Sequence, residues 1–467
     1  MDKKVQLFFV AIIIINLIFN GLFQLHYDEV YYWVWGQNLS LSYYDHPPMI
    51  AYMIRLAILL GHGEFFVRLP ALVTTAITIL VLYKLALRMF DQKTANITAI
   101  LLLSCPLIEA MFFIVTPDSP LLMFWALTLY VLYIGLFENK VLYIYLAGIF
   151  AGCTLLSKYT GILIFPSVFL FLIINKKFRH YLLKKDIYFA FILALLIFSP
   201  VIIWNYQHEW VSFAFQLNHG VDSSHKLNIQ SFGNFWGGAV LLVSPIIFIT
   251  MFIYIISHWK TNIATPKLAF LLCTSVFGFL FFAYCSFYKH TEANWPAPVY
   301  LSGIILTSYW LALANNKWVC RFSVVFIFIV LLLGKFPLLF APNQIHNKVP
   351  ALNAFFGEKE NILNLRPYIK PDTVLIACDY GNGSRAMYYL GLEHVYVPYK
   401  LPFSNEFRYL NPELSPDIKG AIYICDNEDT NALNIMHSYF RSIHLIKDIT
   451  YSNQIVDSKL YIYQVNN

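Results

Sequence analysis

The chain has 467 residues, 59% of them apolar and only 12% charged, against roughly 45–50% and about 25% in an ordinary soluble domain. That much apolar mass excludes a soluble globule and a disordered chain. The net charge of +6 is unevenly shared: residues 1–340 hold 21 Lys and Arg against 13 Asp and Glu, and residues 341–467 hold 11 against 13.

Crossing a hydrocarbon core of about 30 Å takes roughly 20 apolar residues in a helix. Eleven such runs are predicted, over 5–24, 65–83, 94–115, 119–137, 141–157, 160–175, 187–204, 236–256, 268–288, 296–314 and 322–340. The first follows Lys3 and Lys4 and lacks a small-residue cleavage site after it, so it reads as a retained anchor and not a signal peptide. With that end in the cytoplasm, the inner ends and connections carry 15 cationic residues and the outer ones only six: Arg55, Arg68, Lys158, Lys226, Lys289 and Lys335. This asymmetry follows the positive-inside rule and sets the orientation. Asp28, Glu29, Asp45, Glu64, Asp118, Glu209, Asp222 and Glu292 all fall on the outer side, where carboxylate chemistry is therefore expected.

The first outer loop contains Asp28-Glu29 and Asp45-His46-Pro47-Pro48 among many Tyr and Trp residues, so short amphipathic helices lying along the interface are predicted there. Adjacent carboxylates at a span end also suit a plain helix cap, and Asp-His-Pro-Pro also suits a rigid turn. Asp118 stands between Pro117 and Pro120, an arrangement that serves either as a cap or as a rigidly held carboxylate. Glu109 lies inside a span, which requires a partner or a cavity. Lys158 sits on the cation-poor side, where it either snorkels to the interface or binds an anionic lipid phosphate with Ser157 and Tyr159 as further donors. The connection 205–235 carries His208, Glu209, His219, Asp222 and His225. Position 212 is Ser, so a metalloprotease HExxH is absent, and the loop's histidines serve either a divalent metal or ordinary hydrogen bonds. Glu292 and Asn294 precede the tenth span. Beyond residue 340 the apolar continuity ends. Short β-rich runs at 373–378, 394–399, 421–425 and 459–465, with a helical stretch at 384–390, predict a small α/β domain. Seven cysteines without CxxC or Cys/His spacing argue against a disulfide framework or a structural zinc site. No nucleotide-binding fingerprint occurs.

In order, Asp-Glu-x-Tyr-Tyr-Trp (28–33), Tyr-Tyr-Asp-His-Pro-Pro (43–48), Thr-Pro-Asp-Ser-Pro (116–120), Leu-Ser-Lys-Tyr-Thr (156–160), Phe-Gln-Leu-Asn-His (215–219) and Glu-Ala-Asn-Trp-Pro-Ala (292–297) resemble the bacterial branch of the protein mannosyltransferase superfamily. That branch includes the aminoarabinose lipid A transferases. The resemblance implies an α-helical polytopic GT-C membrane domain over 1–340 and a small extracytoplasmic α/β domain over 341–467. It also implies transfer of a sugar from a polyprenyl-phosphate carrier to lipid A, another envelope glycolipid or a protein, outside the cytoplasmic (inner) membrane.

By resemblance Asp28 and Asp118 are the catalytic carboxylates, and Lys158, with His46 and Tyr159, contacts the donor phosphate. Glu29, Asp45, His219, Glu292 and Asn294 would serve the acceptor or support the site. A divalent ion, if used, would draw on Asp28, Asp45 and His219. Spacing alone does not choose between Asp28 and Glu29; the resemblance chooses Asp28. The aminoarabinose enzymes carry Glu-Lys where this chain has Asp45-His46, and they are longer, so their sugar is not carried over. A protein O-glycosyltransferase is the alternative within enzymes. A transporter or flippase is the alternative of another class, but it predicts mid-bilayer charges and repeated halves, whereas here the charges gather at the outer rim. No nucleic-acid partner is expected.

Overall fold

The computed structural model describes residues 1–220, 227–335, 357–398, 405–410, 418–426, 430–452 and 457–466. Among the described residues up to 334 there are seventeen α-helices: α1 Lys3–Phe19, α2 Tyr27–Gln37, α3 Met49–Ile58, α4 Glu64–Met89, α5 Gln92–Leu103, α6 Pro106–Phe113, α7 Asp118–Phe137, α8 Val141–Ser157, α9 Ile164–Ile174, α10 Lys185–Gln207, α11 Val211–Gly220, α12 Ile229–Val243, α13 Pro245–Ser257, α14 Trp259–Ala264, α15 Pro266–Cys285, α16 Ala297–Leu313 and α17 Trp318–Gly334. Then come α18 Glu358–Leu363, β1 Leu375–Ala377, α19 Tyr380–Leu390, α20 Phe407–Leu410, β2 Gly420–Cys425, α21 Thr430–His437, β3 Ser442–Ser452 and β4 Asp457–Asn466.

Among the described residues, α4, α7, α10 and α15 are each long and apolar enough to cross a membrane, and two bent pairs raise the number to six. α8, α16, α17 and the run 159–174 are apolar but shorter. The unbroken spans expected over 94–115 and 236–256 are both interrupted. α5 and α6 meet at 64°, and α12 and α13 at 103°. In each case a proline opens the second helix, Pro106 or Pro245, where its missing N–H and fixed φ end one helix and start another. Residues 25–60 form two short helices, α2 and α3, where short helices were expected.

The chain divides into two compact units. One comprises 1–19, 46–50 and 68–333; the other comprises 20–45, 51–67 and 334–467. The first unit is built around a large apolar core that includes Trp125, Phe112, Phe171, Phe270 and Tyr300. α8 packs on α10 backbone to backbone. A Cβ added at Gly148 would fall onto the Ala190 carbonyl, and one at Gly152 would fall 2.6 Å from Ile197 Cβ. This Gly-x-x-x-Gly face against Ala190 and Ala194 allows the close approach that drives helix association in lipid. Inside the same core, Asn16 Nδ2 donates to Glu109 Oε1 at 3.1 Å, so the one carboxylate within a predicted span has a hydrogen-bond partner. Several cations of the predicted inner side close helix C-termini, where carbonyls point outward. Lys93 Nζ donates to the Ala312 carbonyl at 2.6 Å, and Arg179 Nη2 to that of Ile173 at 2.7 Å.

In the second unit the strands form one sheet in the order β1-β2-β4-β3, with β1 parallel to β2 and the other pairs antiparallel. Ile376, Tyr423, Met436, Phe440 and Val465 form its buried core. Three of the four β-rich runs are strands. The run 394–399 contributes only a single bridge, Ile376 to Tyr396, and β3 was not anticipated. Cys378 and Cys425 form a disulfide. This corrects the reading of scattered cysteines: 47 residues separate the two in sequence, but each lies at the end of one of the paired strands β1 and β2.

Candidate active site

In the first unit the site grows from two helix ends. α7 starts at Asp118, directly after Pro117, and α8 stops at Lys158, whose backbone turns extended. The lysine Nζ lies 2.9 Å from both carboxylate oxygens of Asp118. Both side chains are buried, at 9% and 5% exposure. Asn294, in the turn before α16, donates from Nδ2 to Asp118 Oδ2 at 3.2 Å. Three motifs far apart in sequence thus converge on one carboxylate. Burial makes this pairing strong and its disruption costly, because a charge left alone in an apolar setting has no water to turn to.

Tyr159 hydrogen-bonds Ser212 through its hydroxyl at 2.7 Å, and Ser157 turns its hydroxyl back to the Cys153 carbonyl at 2.8 Å. His46 is partly buried in the same unit. Glu292 is exposed and paired with His290 at 2.6 Å, so Asn294 and not Glu292 reaches the carboxylate. His208 stacks on Trp204 with ring centres 4.0 Å apart and hydrogen-bonds its carbonyl at 2.8 Å. His219 lies near the end of α11, but its side chain, like residues Asp222 and His225, is outside the described residues.

In the second unit α2 carries a pair of adjacent carboxylates with different surroundings. Glu29 is fully buried and its Oε2 accepts from the His26 backbone N–H at 2.9 Å. The His26 ring accepts in turn from the Asp28 N–H at 3.3 Å. This is a capping box, so Glu29 is bound to its own helix end. Asp28 points elsewhere: Tyr380, the first residue of α19, donates its hydroxyl to Asp28 Oδ1 at 2.9 Å. Burial raises the Asp28 carboxyl above the ordinary carboxylate range, against the opposing pull of the His26 charge and the Tyr380 hydrogen bond. A partly desolvated carboxylate of this kind is a better proton acceptor near neutral pH.

Asp45 accepts from the Tyr31 hydroxyl at 2.6 Å. The Tyr31 hydroxyl oxygen accepts in turn from the Glu406 N–H at 2.7 Å, and Glu406 Oε2 accepts from the Tyr44 N–H at 2.6 Å. Burial pushes Asp45 up to about 7 and Glu406 well above its usual range. Tyr380 and Glu406 were not singled out in the sequence, and Tyr31 entered only as part of the motif over 28–33. The available signal for Tyr380 is weak: Asp379, whose side chain accepts from the Asn382 N–H at 2.8 Å, marks the helix start beside it. Of the three residues considered for a divalent ion, Asp28 and Asp45 are each held by a phenol. Among the described residues the one group of three metal-capable side chains within reach of one another is Cys378, Cys425 and Asp426, and its two cysteines are joined as a disulfide.

Residues 45–204 match the family model of the dolichyl-phosphate-mannose-protein mannosyltransferases. The structure resembles that of ArnT from Cupriavidus metallidurans in the apo state, with a TM-score of 0.66 and 14% identity over 99% of this chain and 97% of that one. The undecaprenyl phosphate-bound structure of the same protein gives 0.65, 14%, 99% and 98%. An oligosaccharyltransferase from Archaeoglobus fulgidus gives 0.53 at 13% identity, over 90% of this chain and 69% of that one. The fold is therefore ArnT-like and mostly helical, the fold class that the six motifs implied. In sequence, the chain is 27% identical over 300 residues to the lipid A galacturonosyltransferase RgtD of Rhizobium johnstonii. That alignment spans 62% of this chain and 61% of the relative.

Proposed function

We propose that the protein is an integral-membrane glycosyltransferase that moves a sugar from a polyprenyl-phosphate carrier to lipid A or another cell-envelope glycolipid. The observation that carries the reading is the buried Lys158–Asp118–Asn294 cluster, formed from three of the motifs that suggested the family. The RgtD likeness favours a lipid A acceptor over a protein, and the undecaprenyl phosphate-bound ArnT supports the class of donor.

In this reading the reaction is a substitution at the sugar's anomeric carbon. Asp28 takes the acceptor hydroxyl proton as the oxygen attacks, and the bond to the carrier phosphate breaks. Charge accumulates on the departing phosphate, and Lys158 supplies the matching cation, with Tyr159 next to it in the chain and His46 as further phosphate contacts. Asp118 holds Lys158 until donor binds, and Asn294 holds Asp118. Asp45, Glu292 and His219 support the acceptor side, and Glu29 supports the site only by closing the first turn of the helix that carries Asp28. Any divalent ion would draw on Asp28, Asp45 and His219.

Residues 1–340 form the catalytic membrane domain, and 341–467 an extracytoplasmic domain in the same inner membrane protein. The Cys378–Cys425 disulfide suits an oxidising compartment and so supports that side for the tail. The test is mass spectrometry of lipid A and of membrane proteins from cells with and without the intact gene. A sugar-sized mass on lipid A that depends on the gene supports the proposal; the same mass on protein alone favours a protein O-glycosyltransferase.

A further inference from the structure

A cavity of about 620 Å³ opens within the second unit, between the end of α2, the α3–α4 turn, α18 and α19. Three cations line it: Arg55, Lys359 and Arg366. Lys359 is committed, since its Nζ lies 2.7 Å from Glu64 Oε1 and over the Tyr389 ring. Arg55 donates to Gln37, a neutral amide, at 3.1 Å. Arg366 is exposed and makes no ion pair among the described residues. Two guanidinium groups therefore face one cavity with their charge uncompensated by a described carboxylate. Arg55 is also one of the six cations that topology leaves on the cation-poor side, so orientation in the membrane does not explain it.

The lining is also aromatic, with Trp33, Tyr388 and Tyr389. Trp33 and Tyr388 meet edge to face with ring centres 4.8 Å apart, a surface suited to the apolar face of a sugar ring. Gly63, with φ +98°, forms the turn between α3 and α4 that a residue with a side chain rarely adopts. Over the last turn of α3 and just after it, Leu56, Leu59 and Leu60 are 66%, 67% and 72% exposed, and Leu59 lines the cavity, so an apolar lip adjoins the charges. Guanidinium forks, a ring platform and a leucine lip together match an anionic glycolipid: phosphate, sugar and acyl chain.

We infer that this cavity binds the phosphate-bearing sugar headgroup of an anionic glycolipid through Arg55 and Arg366. The inference deepens the proposed function, because it rests on a glycolipid acceptor and locates where that acceptor docks. To test it, full-length protein in detergent is titrated with lipid A carrying its phosphates, with dephosphorylated lipid A, and with inorganic phosphate alone, the Trp fluorescence being followed. Wild type is expected to bind the phosphorylated form at least about tenfold more tightly than the dephosphorylated one. Arg55→Gln and Arg366→Gln should each weaken binding about tenfold, as charge-assisted contacts do, and Arg366→Lys should recover part of the loss.

Equal binding of the two lipid A forms, or wild-type binding by both Gln variants, overturns the inference. Inorganic phosphate binding as tightly as lipid A assigns the site to free phosphate and also overturns it. Arginine-dependent binding without any sugar transfer upholds the site and removes only the proposed reaction.

Discussion

At Lys158 the structural role and the proposed chemical one share the same atoms. Lys158→Met leaves Asp118 as an uncompensated buried charge, which costs about 3–5 kcal/mol where one partner of a buried pair is removed. Lost activity in that variant alone would therefore say little about phosphate binding. The double variant Lys158→Met with Asp118→Asn removes both charges and should recover most of the thermal stability while remaining inactive in transfer. Recovery of transfer together with stability would leave Lys158 a purely structural residue. Asp45 offers a separate reading by pH. Its folded-state carboxyl is raised to about 7, so the folded protein holds a proton that the unfolded chain has released above about pH 4. That contribution to stability is present at low pH and lost as pH rises toward 7. Asp45→Asn should flatten the thermal stability between about pH 4 and 7; an unchanged slope would assign the titration to another group such as Glu406. Asp118, Lys158 and Asn294 were legible in the sequence because each sits in a short motif at a helix end. Tyr380 was not, because it lies 352 residues from the Asp28 it binds, and no local pattern encodes so distant a contact.

Among the elements, α8 positions Lys158 through its packing on α10. Gly148→Leu would place a branched side chain where the Ala190 backbone now lies, and overpacking of this kind costs typically about 1–3 kcal/mol and shifts the helix. The expected result is a lower melting temperature together with a raised KM for donor; a raised KM with unchanged stability would point to a direct donor contact instead. Helix positions followed from hydropathy because a lipid-facing span must be continuously apolar. The breaks at Ser104–Pro106 and Ser244–Pro245 did not, since apolar length alone hides a bend that a proline permits but does not require. In the tail, β1, β2 and β4 were marked by β-branched and aromatic runs. β3 carries His444, Lys447 and Asp448 among its apolar residues, so its pattern is diluted, and its pairing with β4 is settled by the sheet.

For the whole molecule, the distribution of 15 cationic residues against six on the two predicted sides predicts the orientation, and with it the side on which the proposed transfer would take place. A reporter fused after residue 467 should be active only outside the cytoplasm. Activity inside would require an even number of crossings and would separate the tail from the proposed compartment. The central claim is that Asp28 acts as general base in sugar transfer from a polyprenyl phosphate. Glu29 is the control beside it, because Gln at that position can still close the capping box that Glu29 forms with His26. The deciding measurement is the rate of labelled-sugar transfer from polyprenyl phosphate to lipid A by purified wild type, Asp28→Asn and Glu29→Gln, with donor binding followed in parallel. Asp28→Asn should bind donor normally and lose about 10²–10⁴ in rate, Glu29→Gln should stay close to wild type, and the wild-type acid limb should lie above the ordinary carboxylate range. Transfer by Asp28→Asn at the wild-type rate would contradict the account.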